Sequence, residues 1–307
     1  MVDQMDIKQL SAEITRLKKE HNAVILAHLY QRPEVQEIAD FVGDSLELSR
    51  QAASTDAAVI VFCGVHFMAE TAFILSPDKI VLLPDEQAGC PMANMITADE
   101  LRNRKSQLPD AVVVAYVNTS AEVKAESDLC CTSANAVKVV QSVPEGKPII
   151  FVPDRNLGSY IIQQTGRPMD LWQGWCNTHE WVTADNVAEA KAEHPHALVL
   201  AHPECQPEVV ALADFVSGTS RLIQYVKESE ACQFIIVTEA GILHQLTKHC
   251  PEKQFYLATS KLVCPNMKLT TLPKVKQALE SLQPRITVPE AVRVKALGCL
   301  ERMLAIK

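Results

Sequence analysis

Three cysteines occupy matching places in this sequence. Cys90, Cys176 and Cys264 are spaced 86 and 88 residues apart, and each stands seven residues before a threonine at a helix start: Thr97, Thr183 and Thr271. Three thiolates brought to one point suit a metal centre, because soft sulfur selects zinc, copper(I) or iron–sulfur clusters. Zinc sites usually take four ligands at close spacing such as Cys-x-x-Cys, which these three lack. A [4Fe–4S] cluster normally takes four cysteines. Three would leave one iron open to a substrate oxygen as a Lewis acid. The count therefore favours catalysis by coordination over electron transfer, while spacing alone leaves iron and zinc both open. Cys63, Cys130, Cys131, Cys205, Cys232, Cys250 and Cys299 follow no such spacing and read as small buried hydrophobes.

Three columns of polar residues share the same offsets of 88 and 86: His28/Tyr116/His202, Tyr30/Asn118/Glu204 and Ser45/Ser133/Thr219. With His179 they form the candidate pocket. Glu204 is the one carboxylate in these columns and the candidate general base, its pKa expected to rise toward neutrality in a partly desolvated site. Tyr30, Tyr116 and His202 are candidate proton-handling groups, and His28 and His179 can donate to substrate oxygens. Ser45, Ser133 and Thr219 fall near helix ends. Their hydroxyls and adjacent backbone N–H groups can hold a carboxylate or phosphate without a cationic cluster.

What positions these residues is a repeat. The stretch VILAHLYQRPEVQEIADFVGDS at 24–45 returns without gaps at 112–133 and 198–219. A period of this length means three copies of one supersecondary unit. Each copy opens with a short apolar strand (24–27, 112–116, 198–201) followed by a helix, expected from Pro33 through Val42 in the first copy and over 207–216 in the third. Continuous apolar runs such as Ala57–Cys63 suit strands buried on both faces of a parallel sheet. Third strands are expected at 80–83, near 171–172 and at 255–258, each leading into a loop with one of the three cysteines. Ligands of open α/β sheets bind at the carboxyl ends of strands. Three copies packed around a centre therefore bring the cysteines and the polar columns together. The expected fold is α/β, with three pseudo-symmetric repeats. Each is a small three-layer αβα unit with a short parallel sheet, packed around a central cluster site. The expected units are 1–108 with an N-terminal amphipathic helix, 109–194, and 195–307 with C-terminal helices, of which the last is a candidate to pack on the first unit.

Composition narrows the classes. A net charge of −8 without a Lys/Arg cluster argues against nucleic acid and anionic membrane as partners. The polar, acidic start MVDQMDIKQL has no apolar segment of signal-peptide type, and the apolar runs are too short to span a bilayer. Reduced cytoplasmic thiols are the default expectation.

Several stretches together resemble one family. AHLYQRPEVQEIADFVGDSLELS (27–49), FCGVHFMAETA (62–72), CPMA after Gly89, AYVNTSAEVKAESD (115–128), FVPDRNLG (151–158), GWCNTHE (174–180), AHPEC (201–205) and CPNM (264–267) are similar to quinolinate synthase, the A protein of de novo NAD biosynthesis. The resemblance covers essentially the whole chain. It implies a [4Fe–4S] cluster held by Cys90, Cys176 and Cys264, and condensation of iminoaspartate with dihydroxyacetone phosphate to quinolinate, phosphate and two waters. It also implies a functional link to L-aspartate oxidase. Carried over by motif, His28, Tyr30, Ser45, Tyr116, Asn118, Ser133, His179, His202 and Glu204 line the pocket. Where the family commonly has Gly-Ser-Thr-Ser, this chain has Ser217-Gly218-Thr219-Ser220, so Ser217, Thr219 and Ser220 stand as alternatives for the anion ligand. The rival readings are an iron–sulfur hydro-lyase acting on another hydroxy acid and a non-enzymatic iron–sulfur sensor.

Overall fold

A computed structural model describes residues 4–306; residues 1–3 of the first expected unit and Lys307 lie outside the described residues. The chain folds as three successive α/β units. The first runs α1 (Gln4–Glu20), β1 (Ala23–His28), α2 (Pro33–Ile38), β2 (Phe41–Gly43), α3 (Ser45–Ser54), β3 (Val59–Cys63), α4 (His66–Leu75), β4 (Ile80–Leu82), a 3₁₀ turn Met92–Met95 and α5 (Ala98–Gln107). The second runs β5 (Val112–Tyr116), α6 (Ala121–Ala125), β6 (Leu129–Cys131), α7 (Ala136–Ser142), β7 (Ile149–Val152), α8 (Arg155–Thr165), β8 (Asp170–Leu171), α9 (Asn177–Glu180) and α10 (Ala184–Glu193). The third runs β9 (Leu198–Ala201), α11 (Pro207–Val210), β10 (Phe215–Val216), α12 (Thr219–Glu228), β11 (Gln233–Val237), α13 (Ile242–His249), β12 (Gln254–Leu257) and a 3₁₀ turn Met267–Leu269. Helices α14 (Leu272–Ser281) and α15 (Glu290–Ala305) close the chain.

Each unit holds a four-stranded, all-parallel sheet in the order 2-1-3-4: β2-β1-β3-β4, β6-β5-β7-β8 and β10-β9-β11-β12. The direction of winding reverses between the first and third strands of each unit, and their carboxyl ends form the crevice where such sheets bind ligands. Apolar side chains alternate between the two faces, as strand geometry requires. Ile25 and Val61 pack on α1 and α14 with Ile14, Leu17, Val275 and Leu279. Leu26 and Phe62 face a larger core that includes Val113 and Phe151 of the second unit and Leu300 and Met303 of α15. The two C-terminal helices thus pack on the first two units rather than on the third sheet, α14 against α1 and α15 against α6 and β6.

One strand per unit departs from the expectation. The helix expected from Pro33 through Val42 ends at Ile38, and Phe41–Gly43 is strand β2, registered Leu26↔Phe41 on β1. Likewise the helix expected over 207–216 ends at Val210, and Phe215–Val216 pairs with β9. An aspartate makes the switch in every copy. Asp40, Asp128 and Asp214 accept from the backbone N–H of Ile25, Val113 and Val199 at 2.8, 2.8 and 2.7 Å. That bond satisfies an amide of the first strand and turns the chain into the sheet. Of the unmatched cysteines, Cys232 is exposed rather than buried, since it precedes β11 outside the sheet; the other six are buried. Thr97 and Thr183 cap their helices through reciprocal boxes with Glu100 and Asn186, whereas Thr271 holds the same position without a side-chain cap.

Candidate active site and its family

The three sheets point their carboxyl ends at one cavity of about 130 Å³, far larger than a single water requires. Cys90, Cys176 and Cys264 line it together with His28, Tyr30, Ser45, Tyr116, Asn118, Ser133, His179, His202, Glu204 and Thr219, whereas Ser217 and Ser220 do not. Of the alternatives for the third hydroxyl, Thr219 faces the cavity, while Ser220 donates its hydroxyl to Glu47 at 2.5 Å. Gly218 lets the third unit approach the second beside Ser133: a Cβ there would sit 2.9 Å from Ser133 Oγ. Ser45 and Thr219 open α3 and α12, and Ser133 precedes α7. The hydroxyls therefore sit beside helix N-termini. No lysine or arginine lines the cavity among the described residues.

The acid–base groups form a connected set. His179 Nδ1 lies 2.7 Å from Glu204 Oε2 and 3.2 Å from Cys176 Sγ. Its Nε2 lies 2.9 Å from Thr238 Oγ1, which lies 2.7 Å from the Tyr30 hydroxyl. The carboxylate accepts, so Nδ1–H donates, and Nε2, the Thr238 hydroxyl and the Tyr30 hydroxyl continue the chain of hydrogen bonds. His202 stacks on His179 with ring centroids 4.7 Å apart. In both His28 and His202, Nδ1 accepts the backbone N–H two residues on, at 3.1 and 3.3 Å. This leaves each Nε2–H for the cavity, and His202 Nε2 lies 3.2 Å from Ser133 Oγ. Among the described residues that line the cavity, two buried oxygens, Glu204 Oε1 and Asn118 Oδ1, have no hydrogen-bond partner.

Electrostatics sharpen these roles. Burial drives His28 and His202 down to about 3, despite the attraction of Glu204, so both rings are neutral. Burial pushes Tyr30 and Tyr116 well above the usual phenol range, with Glu204 adding to it, so both hold their protons. The expectation for Glu204 is reversed. Burial does favour its neutral form, but His202, His179 and Tyr116 outweigh it and hold the carboxyl down at about 2. It is a carboxylate held by hydrogen bonds from His179 and Tyr116 and by attraction to His202, not a carboxyl poised near neutrality.

The cysteine-bearing loops suit a metal group. Burial, with the neighbouring Cys264 sulfur adding to it, pushes Cys90 up to about 12, and burial raises Cys176 and Cys264 as well. Bare thiols here stay protonated, and a bound cation would displace those protons. Val65, Phe67, Met68, Met92 and Met267 add apolar surface to the cavity that the sulfurs line. Cys176, His179 and Glu204 also place donor atoms within 4.8 Å of one another. Their separations are those of hydrogen bonds already made, and the set uses one cysteine of the three.

The sequence patterns did not reveal Asp44, Thr238 and Glu239. Asp44 lines the cavity as the N-cap of α3, in a capping box with Glu47, a signal readable at 44–47. Thr238 and Glu239 follow β11. By strand register Glu239 matches Val65 and Asp154. The ungapped offsets pair Val65 with Pro153 instead, which hides a column of strand-end residues.

The sequence profile described as Quinolinate synthetase A protein matches residues 12–305. This chain belongs to that family. The quinolinate synthase of Desulforudis audaxviator is 59% identical to it over 303 residues, covering 98% of this chain and 100% of the relative. That of Geobacter metallireducens is 57% identical over 302 residues (98% and 99%), and that of Methanoregula boonei 56% over 301 residues (98% and 99%). The likeness to the quinolinate synthetase A family therefore spans the three units rather than one of them, and the chain is an enzyme. None of the described helices is long and apolar enough to cross a membrane.

Proposed function

We propose that this chain condenses iminoaspartate with dihydroxyacetone phosphate, releasing phosphate and two waters to give quinolinate, with a [4Fe–4S] cluster on Cys90, Cys176 and Cys264. The observation that carries this reading is the convergence of one cysteine from each of three sheets on a cavity that also holds the acid–base set. When bound, the cluster supplies a Lewis-acid iron without a protein ligand. The chain's own residues do the rest. Ser45, Ser133 and Thr219 hold carboxylate or phosphate oxygens with hydroxyls and helix-end amides, which replaces a cationic clamp. Neutral His28 and His202 donate from Nε2 to substrate oxygens. Ionised Glu204 is the base, its free Oε1 directed at a substrate proton, and Asn118 Oδ1 accepts from an N–H or O–H of the substrate. Tyr30 and Tyr116 keep their protons and act as acids or donors toward leaving oxygens. The imine donor is a hydrolysable product of aspartate oxidation, which supports a functional link to L-aspartate oxidase in the cytoplasm. Units divided near 108 and 194 fit the ends of α5 and α10.

The test is anaerobic purification, iron and sulfide analysis, and assay with the two substrates. We expect about four irons per chain, and Cys264→Ala to lose both the cluster and quinolinate formation. A zinc-loaded, colourless but active chain would overturn the proposal.

A further inference from the structure

One buried carboxylate of the cavity stands apart from the acid–base set. Glu239 follows the third strand of the third unit, is fully buried and, among the described residues, shares no hydrogen bond or ion pair with Glu204 or the histidines. Its Oε1 accepts the backbone N–H of Cys264 at 3.1 Å and lies 2.9 Å from Lys268 Nζ. Its Oε2 accepts the backbone N–H of Gly241 at 2.6 Å. Lys268 also donates to the backbone carbonyl of Tyr30, and Arg32 Nε donates to the carbonyl of Lys268 at 2.8 Å. Two loops more than two hundred residues apart in the chain, around Tyr30 and around Cys264, therefore meet on one carboxylate and one ammonium. Gly241 makes the close approach possible, since a Cβ there would lie 2.7 Å from the Tyr30 backbone and 2.8 Å from Glu239 Oε2. By strand register the other units have Val65 and Asp154 at this place. Asp154 likewise accepts the backbone N–H of Cys176, but the lysine that carries the tie on to the Tyr30 loop stands only in the Cys264 loop among the described residues.

We propose that Glu239, acting through Lys268, is a positioning residue that locks the Cys264 loop to the Tyr30 loop, so that seating of Cys264 and docking of Tyr30 are a single event. The link to cluster binding rests on the reading of Cys264 given above; the coupling of the two loops does not. Lys268 is one-fifth exposed and Glu239 is not exposed at all, so the pair is shielded and its loss leaves a buried charge or buried amides unpartnered.

Hydrogen exchange on the metal-free chain tests the coupling. Lys268→Met keeps the apolar stem and removes the charge; Glu239→Gln keeps an acceptor for the Cys264 amide and removes the attraction for lysine. Both variants are expected to speed exchange about tenfold to a hundredfold in residues 29–36 and 264–269 together, with residues 112–116 unchanged. Faster exchange in one loop without the other, or in neither, overturns the coupling. A second arm follows iron release from the anaerobically loaded chain to a ferrous chelator, expected roughly tenfold faster in both variants. Unchanged release overturns the link to the cluster. A wild-type chain that takes up no iron and sulfide overturns the cluster reading itself, and the exchange result still decides the coupling.

Discussion

At the scale of single residues, the decisive group is one that carries no charge. Thr238 is fully buried between Tyr30 and His179 and joins two groups brought from different units. Thr238→Val keeps the shape and removes both bonds, leaving the Tyr30 hydroxyl and His179 Nε2 without their partner. At about 1–3 kcal/mol per abandoned buried group, turnover should fall by about tenfold to a hundredfold, and Thr238→Ser should recover most of it. Turnover within about twofold of wild type would remove Thr238 from the mechanism. The histidines set a pH dependence whose sign is fixed. His28 and His202 have folded pKa values of about 3 against an ordinary 6.5. Between those values the unfolded chain binds protons that the folded chain excludes, so stability is full above about 6.5 and falls as the pH falls. Each imidazole contributes a slope of about 1.4 kcal/mol per pH unit. Glu204, depressed from 4.5 to about 2, adds a loss of the same sign below about 4.5. Urea unfolding of the metal-free chain from about pH 8 to about pH 5 should show this decline, and His202→Gln should flatten it by about one proton. An unaltered slope in that variant would mean the ring is solvated in the folded chain.

At the scale of elements, each sheet depends on an aspartate rather than on a long apolar run. Asp128 Oδ2 accepts the Val113 amide at 2.8 Å, and the Asp128 carbonyl accepts from Arg302 of α15 at 2.6 Å. Asp128→Ala should cost about 1–3 kcal/mol, because the amide of a central strand loses its partner. Asp128→Asn, which keeps an acceptor, should cost less. Equal urea midpoints for wild type and Asp128→Ala would show that water replaces the carboxylate. This device also explains what could be read in advance. The aspartates recur with the repeat, and Ala39-Asp40-Phe41-Val42 is visibly restated as Ala213-Asp214-Phe215-Val216. Strands of two or three residues, however, such as β10 and β2, are too short to show a period of two against a preceding helix. The first and third strands were legible because four or five successive apolar residues admit few other readings. The cavity residues were legible because three copies place them at one offset. Thr238 and Glu239 were not, because a one-residue shift between the units breaks the offset from the third strand onward.

At the scale of the whole molecule, the three cysteines come from three separate sheets, and the first and third units also meet through Leu29, which packs in the core of the third sheet. A group bound to all three sulfurs is therefore a cross-link between units as well as a reagent. It binds the folded chain and has no preformed site in the unfolded one, so loading must raise stability by mass action. Anaerobic urea unfolding should place the loaded chain roughly 3 kcal/mol or more above the chelator-stripped chain. Cys176→Ser replaces one sulfur of a partly buried side chain at the edge of the core shared by the first two units and changes none of that core's buried residues. Its stripped form should unfold within about 0.5 kcal/mol of the stripped wild type, while the increment on loading should be lost. The comparison separates two architectures. If loading stabilises the wild type but Cys176→Ser retains the full gain, the ligands lie elsewhere than on the three repeat-related loops. If loaded and stripped chains unfold together, the units are held by their apolar seams alone, chiefly the shared core of the first two units under α15, and the convergence of sulfurs serves chemistry without serving the fold.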